Sequence, residues 1–354
     1  MYDYDLIVLG GGAAGLTSSL GAAGLGAKVL LVEKGALGGD CTHYGCVPSK
    51  TLIQTAKVAH QSRTASKYGL KDQKPDFIFK DVIKHVQDTI EYIETKFENP
   101  ADIKKKGVDL IFGSPSFTDS HTITLNKKSY SAKYIFICTG SHARIFPFEG
   151  LEETGFITNE QIFSLKQQPK HLVVVGGGPI GTEMAQAFHR LGTKVSIVES
   201  KDCILPREDN EASCALQEIL VKEGVTIHNN VYAVKAERTS KGKKVTLETK
   251  KTKKKITLEC DELLIATGRA PNVEGLALEK ASVEFSERGI PVNKKMQTST
   301  KHIYACGDVI GQHQFSHMAE YHAKVALTNA LFKLPAKVDT RVVPWTTFTD
   351  PELA

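Results

Sequence analysis

The amino-acid sequence predicts an α/β protein with two three-layer, doubly wound units, one interrupting the other. Three observations carry that expectation. A strand, a glycine turn, a helix and a second strand follow one another at residues 6–33 and again at 172–199. In each copy an acid ends the second strand, 23 residues after the first glycine: Glu33 after Gly10, Glu199 after Gly176. Each copy is completed much later by an apolar strand closing on Thr-Gly, at Tyr134–Gly140 and Leu263–Gly268.

The first copy starts with Leu6-Ile7-Val8-Leu9, the unbroken apolar run expected of a parallel strand buried on both faces. Gly10-Gly11-Gly12-Ala13-Ala14-Gly15 follows, then a helix of small residues to about Gly26, then Val29-Leu30-Leu31-Val32. Such a turn has a physical logic: Gly10 makes the tight bend, Gly12 lets the backbone approach a pyrophosphate, and Gly15 lets helix and strand pack closely. The unpaired N–H groups of the helix terminus then hold the anion, and Glu33 accepts hydrogen bonds from ribose hydroxyls. Gly176, Gly178, Gly181 and Glu199 repeat the pattern. One such motif is weak evidence; two in the same strand–turn–helix context with equal acid offsets are strong. Two dinucleotides on one chain point to electron transfer between cofactors.

Seven cysteines, at 41, 46, 138, 203, 214, 260 and 306, are odd in number and dispersed. This pattern predicts no disulfide framework, with most thiols serving as small buried hydrophobes in a reducing compartment. Only Cys41 and Cys46 are close in sequence. Pro48 suits the first turn of a helix, which places Cys46 near an N-terminus that favours a thiolate. The pair reads as redox-active, as half of a tetrahedral metal site, or as two inert core thiols. The metal reading is the poorer, because no second Cys/His pair lies at ligand spacing.

Composition narrows the function classes. The 354 residues are 41% hydrophobic and 24% charged, enough for a large core and too apolar for disorder. A net charge of +5 is too mild to argue for nucleic acid as the main partner. Thr17, Ser18, Ser19 and Lys28 interrupt the most apolar early stretch, which excludes a membrane span there, and Met1-Tyr2-Asp3-Tyr4-Asp5 lacks a basic leader. A cytoplasmic protein is expected. Lysines at 241–244 and 250–255 flank the alternating Val245-Thr246-Leu247-Glu248 and predict a solvated hairpin edge. Helical periodicity over 57–67 and 82–97 predicts packing helices.

The run Gly38-Gly39-Asp40-Cys41-Thr42-His43-Tyr44-Gly45-Cys46-Val47-Pro48-Ser49-Lys50 resembles the active-site signature of class I pyridine nucleotide-disulfide oxidoreductases. That family includes dihydrolipoyl dehydrogenase, glutathione reductase and mercuric reductase. The resemblance extends through Glu183, Ala266–Asn272, Ile303–Asp308 and Val343–Glu352. It implies two Rossmann-like domains, an FAD-binding domain at 1–147 and 273–340 interrupted by an NAD(P)-binding domain at 148–272. Residues 341–354 would begin an interface domain missing from this chain. In relatives that domain carries the dimer interface and an active-site His-Glu pair, so a homodimer is expected.

The resemblance also distributes roles. Cys41 and Cys46 would form the redox-active disulfide, with Cys46 nearer the flavin and Cys41 exchanging with substrate. Lys50 and Glu183 would form an ion pair beside the flavin. Gly10, Gly12, Gly15, Glu33, Gly39, Thr139, Gly140, Ser141 and Asp308 would contact FAD, with Pro115 near the adenine and Gln314 and His317 near the isoalloxazine; His317 reads equally as a core histidine. Gly176, Gly178, Gly181, Glu199 and Gly268 would hold the nicotinamide nucleotide. Glu199 favours NADH by repelling a 2′-phosphate, while Lys201 and Arg207 leave NADPH open. No metal site is expected in the chain.

The expected activity is hydride transfer from NAD(P)H through FAD to the Cys41–Cys46 disulfide, and on to a small disulfide or a thiol-bound metal. Phe315–Ala323 and Cys46–Lys50 lean toward the mercuric-reductase-like branch. Asp40-Cys41-Thr42-His43-Tyr44 departs from relatives, which usually carry Thr before the first cysteine and Asn-Val before the glycine. Dihydrolipoyl dehydrogenase is the alternative within the family. A redox-silent FAD/NAD-binding or sensing protein is the alternative from another class.

Overall fold

The computed structural model describes residues 1–354 and divides them into two compact units. The first comprises Met1–His43, Glu91–His142 and Arg269–Val343; the second comprises Tyr44–Ile90, Ala143–Gly268 and Pro344–Ala354.

In the first unit, parallel strands run in the order Val108–Phe112, Val29–Glu33, Tyr4–Leu9, Lys128–Ile137, and Ile303–Ala305 adds to the far side of Lys128–Ile137. Leu9 is level with Val32 on one neighbour and Ile137 on the other, and Ile137 is level with Ala305. All these strands therefore end together, at the edge where the Gly10 turn begins. Leu6, Ile7, Val8, Leu30, Leu31, Ile135 and Phe136 are fully buried, as strands covered on both faces require. The helix Ala13–Gly24 is made of small residues because another helix lies close: a Cβ on Gly21 would stand 2.9 Å from Leu327 of the helix Ser316–Leu331.

The second unit repeats the plan with strands in the order Thr226–His228, Lys194–Val198, His171–Val175, Glu262–Ile265, all parallel. The helix Pro179–Arg190 buries Met184, Ala185 and Phe188. The helix Cys46–Arg63 contributes Leu52, Ala56 and Ala59 to the same apolar cluster. That shared burial groups residues 44–90 with the second unit, whereas the sequence places them within 1–147. A three-stranded antiparallel sheet, Val231–Thr239, Gly242–Thr249 and Lys255–Cys260, carries the lysine hairpin. Lys244 pairs with Glu237 and Lys253 with Glu248, and Val245 and Leu247 are buried beneath.

The cysteine expectation needs a correction. Cys138, Cys260 and Cys306 are buried hydrophobes as anticipated, but Cys203 and Cys214 are joined in a disulfide with Cα atoms 5.6 Å apart. Asp209 caps the helix Asn210–Glu223 by accepting from Glu211 N at 2.9 Å, and Ser213 Oγ donates to Leu205 O at 3.0 Å. The stretch before the helix is thereby folded back along it, which brings together two sulfurs 11 residues apart.

Candidate functional site

The two glycine turns have the backbone angles and clearances that the three expected tasks require. Gly10 has φ +103° and Gly176 φ +111°, and a Cβ on either would lie within 2.4 Å of a carbonyl oxygen, Cys138 O or Ala266 O. A Cβ on Gly15 would stand 1.7 Å from Gly10 O, and one on Gly181 2.0 Å from Gly176 O, so helix and turn touch backbone to backbone. The middle positions are open by contrast. Nothing approaches a Cβ on Gly12 closer than 3.9 Å, and nothing lies within 4 Å of one on Gly178. This is the space a pyrophosphate needs against helix N–H groups.

Both acids are set by their own turns. Glu33 accepts from Gly11 N at 2.6 Å and Gly35 N at 2.7 Å. Glu199 accepts from Gly177 N and Lys201 N, both at 2.8 Å. A carboxylate held by backbone donors in this way is pre-oriented for hydroxyls at the strand end.

Other residues expected at FAD come together in the first unit. Gly39, at φ +60°, backs onto Gly12, 3.0 Å from a would-be Cβ. Thr139 Oγ1 donates to Asn272 O at 2.7 Å, and Asn272 N donates to Gly140 O at 3.0 Å. Ser141 Oγ donates to Asp308 at 2.6 Å. Arg269 donates to Ser141 Oγ at 2.8 Å and to Ser141 O at 3.0 Å, and pairs with Asp40 at 3.2 Å. Burial raises the Asp308 carboxyl above the usual range, against the opposing pull of the Ser141 hydroxyl and Arg269. Pro115 is half-buried just before the short strand Ser116–Phe117, and Gln314 is half-buried before the helix Ser316–Leu331. His317 is exposed and stacked on Phe315 at 5.4 Å, so it is not a core histidine. The buried one is His322, 2% exposed, which accepts from Gly307 N at 3.4 Å and is pushed down to about 4 by burial.

Cys41 is half-buried on the short helix Gly39–His43, where Thr42 Oγ1 donates to Glu98 at 2.8 Å and His43 Nε2 donates to Leu37 O at 2.7 Å. Cys46 opens the 18-residue helix Cys46–Arg63 and is exposed, with Pro48 buried in the first turn. Four residues on, Lys50 Nζ meets Glu183 Oε2 at 2.8 Å. Phe348 N donates to the other oxygen of Glu183 at 2.9 Å, and the Phe348 ring lies under Lys50 Nζ at 4.5 Å. Gly268, at φ +128°, has open space around it and accepts from Arg144 N at 2.9 Å.

Arg269, Glu98 and His322 contact the residues expected at FAD or their neighbours, and the sequence does not announce them. Arg269 has one visible sign, its place directly after the second Thr-Gly; its partner Ser141 is 128 residues away. Burial raises Glu98, and its carboxylate lies over Gly38, a placement with no counterpart in local sequence.

The profile of the pyridine nucleotide-disulphide oxidoreductase family matches residues 4–323. Mercuric reductase of Bacillus cereus is 35% identical over 100% of this chain and 56% of its own length. Dihydrolipoyl dehydrogenase of Bacillus subtilis (strain 168) is 33% identical over 99% of this chain and 76% of its own. The solved structure of RclA from Escherichia coli, an HOCl-induced flavoprotein disulfide reductase, has a TM-score of 0.86 at 29% identity, covering 99% of this chain and 76% of that one. The chain thus spans between about half and two thirds of the length of the mercuric reductases it matches. Since the match runs unbroken through both glycine turns, the Cys46 helix and the Asp308 segment, the chain belongs to the pyridine nucleotide-disulphide oxidoreductase family.

Proposed function

We propose that the protein is an FAD-dependent NAD(P)H:disulfide oxidoreductase using Cys41 and Cys46 as its dithiol/disulfide. Membership of the family implies FAD and a pyridine nucleotide. The observation that carries the reading is the doubled turn: each copy keeps an open middle glycine and an acid held by backbone donors. In this reading Gly10, Gly12, Gly15, Glu33, Gly39, Thr139, Gly140, Ser141, Asp308, Pro115, Gln314 and His317 serve FAD. Gly176, Gly178, Gly181, Glu199 and Gly268 serve the nucleotide.

Bound flavin would supply two-electron passage between nicotinamide and sulfur. The chain's own residues bind, orient and charge the partners. Cys46 is the first residue of a long helix, and a helix N-terminus favours a thiolate. Lys50 supplies a positive charge one turn along, and Glu183 fixes its position. Cys41 is the exchanging thiol. The overall step takes NADH, a proton and the disulfide to NAD⁺ and two thiols.

NADH is the favoured donor, because Glu199 suits two ribose hydroxyls and repels a 2′-phosphate; Lys201 and Arg207, the first exposed and the second close by in sequence, leave NADPH as the second choice. The substrate is a small disulfide or a thiol-bound soft metal, as the names of the mercuric reductases and RclA suggest, with dihydrolipoamide second. A cytoplasmic homodimer completes the proposal; no helix here is long and apolar enough to cross a membrane. Anaerobic addition of NADH to the flavin-loaded protein should release two thiols per chain and raise a long-wavelength absorption band. Cys46→Ser should abolish both. No thiol release from the unsubstituted protein would overturn the reading and favour a silent binder.

A further inference from the structure

The disulfide of the second unit is unused by that mechanism. Cys203 lies four residues beyond Glu199, and its partner Cys214 sits in the second turn of the helix Asn210–Glu223. The stretch 200–209 between them builds the wall of the second glycine turn. Leu205 N donates to Gly177 O at 2.7 Å, and Ile204 would stand 3.1 Å from a Cβ on Gly177. Lys201 N and Ser200 Oγ donate to Glu199 Oε1 at 2.8 and 3.2 Å, so the same stretch orients the acid. Besides the disulfide and the Asp209 cap, this wall is fastened to the helix by Ile204 N to Gln217 at 3.2 Å and Ser213 to Leu205 O at 3.0 Å. Both sulfurs belong to half-buried residues, and the exposed Lys201, Asp202, Pro206 and Arg207 flank Cys203 in the chain, within reach of a small thiol.

We propose that Cys203–Cys214 is a second thiol–disulfide exchange site, open to small dithiols, whose state sets the grip on the adenosine end of the nicotinamide nucleotide. The proposal rests on Glu199 serving that nucleotide. A dithiol's thiolate attacks one sulfur and forms a mixed disulfide; its second thiol then closes to a cyclic disulfide. Two electrons and two protons pass from the reagent to Cys203 and Cys214, which become thiols. A small disulfide reverses the step. With the bond open, residues 200–209 sample more conformers, and ordering them against the nucleotide costs affinity.

The test uses flavin-loaded protein carrying Cys41→Ser and Cys46→Ser, so that dithiol cannot turn the enzyme over. NAD⁺ and NADP⁺, which cannot reduce the flavin, are titrated before and after dithiothreitol, and alkylation followed by mass analysis of residues 201–222 scores the bond. The Kd for NAD⁺ should rise roughly three- to tenfold as the bond opens. Adding Cys203→Ser and Cys214→Ser should give the raised Kd with or without dithiol. A bond that resists dithiothreitol in the folded protein, or a Kd unchanged within about twofold once it opens, overturns the exchange site and leaves the nucleotide reading standing. Failure of every form to bind either nucleotide overturns both.

Discussion

The first and second glycine turns share a backbone and differ in the residues beyond the acid. Gly10 and Gly176 bend alike, Gly15 and Gly181 touch the same carbonyl of their turns, and Glu33 and Glu199 each accept from two backbone N–H groups. Past Glu33 the chain passes Gly35, backs Gly39 onto Gly12, and enters the Cys41 helix. Past Glu199 it makes a wall over Gly177 and is cross-linked to the next helix. The turn is thus dictated locally and copied, while the two copies part company in the ten or so residues after the acid. The closing strands diverge as well: the first is sealed by the Ser141–Asp308–Arg269 cluster, the second ends at an open Gly268.

Substitution at the third glycines gives the largest expected separation of the two copies. Gly15→Ala should cost about 3 kcal/mol locally, because the carbonyl it strikes belongs to a fixed turn, and the purified protein should lose its flavin. Gly181→Ala should keep the flavin and lose NAD⁺ binding. Flavin-to-protein ratio and nucleotide titration read the two outcomes; loss of flavin in both would show that the turns are not separable.

A smaller effect distinguishes the first copy. His322 is neutral because burial holds it at about 4, against an unfolded value near 6.5. The unfolded chain therefore binds more protons between those values, and stability falls as pH drops through that window. From about pH 7 to about pH 5 this amounts to about 2 kcal/mol, read as a lowered urea midpoint. His322→Asn should flatten that slope; an unchanged slope would assign the acid sensitivity elsewhere.

The smallest contrast concerns the acids. Glu199→Gln should narrow the preference for NAD⁺ over NADP⁺ by about tenfold, equivalent to about 1.4 kcal/mol. Glu33→Gln should leave that ratio untouched while weakening FAD retention. Equal effects of both on nucleotide selectivity would blur the assignment of the copies.

These contrasts track the line between features that sequence exposes and features that it hides. Both turns, their acids and their closing strands are legible because each rests on contacts within a few residues of a repeated pattern. Lys50 and Glu183, 133 residues apart, become visible only through resemblance, since nothing local couples them. Arg269 is hidden for the same reason. The Cys203–Cys214 bond escapes because cysteine spacing says nothing about a stretch that folds back along a helix through Asp209 and Ser213. His317 goes the other way, exposed where a buried histidine was an open alternative, because it precedes the inward face begun by Met318 and Ala319.

Glu183 is a shared anchor: one oxygen belongs to Lys50, the other to the main chain at Phe348. Asp350, two residues farther, grips Arg190 at 2.8 Å on the same helix as Glu183. A proteolytic nick or a pull on the 344–354 ribbon would therefore be transmitted to the ammonium group one helical turn from Cys46. Terminal tags and downstream fusions should accordingly be judged by whether they disturb that latch.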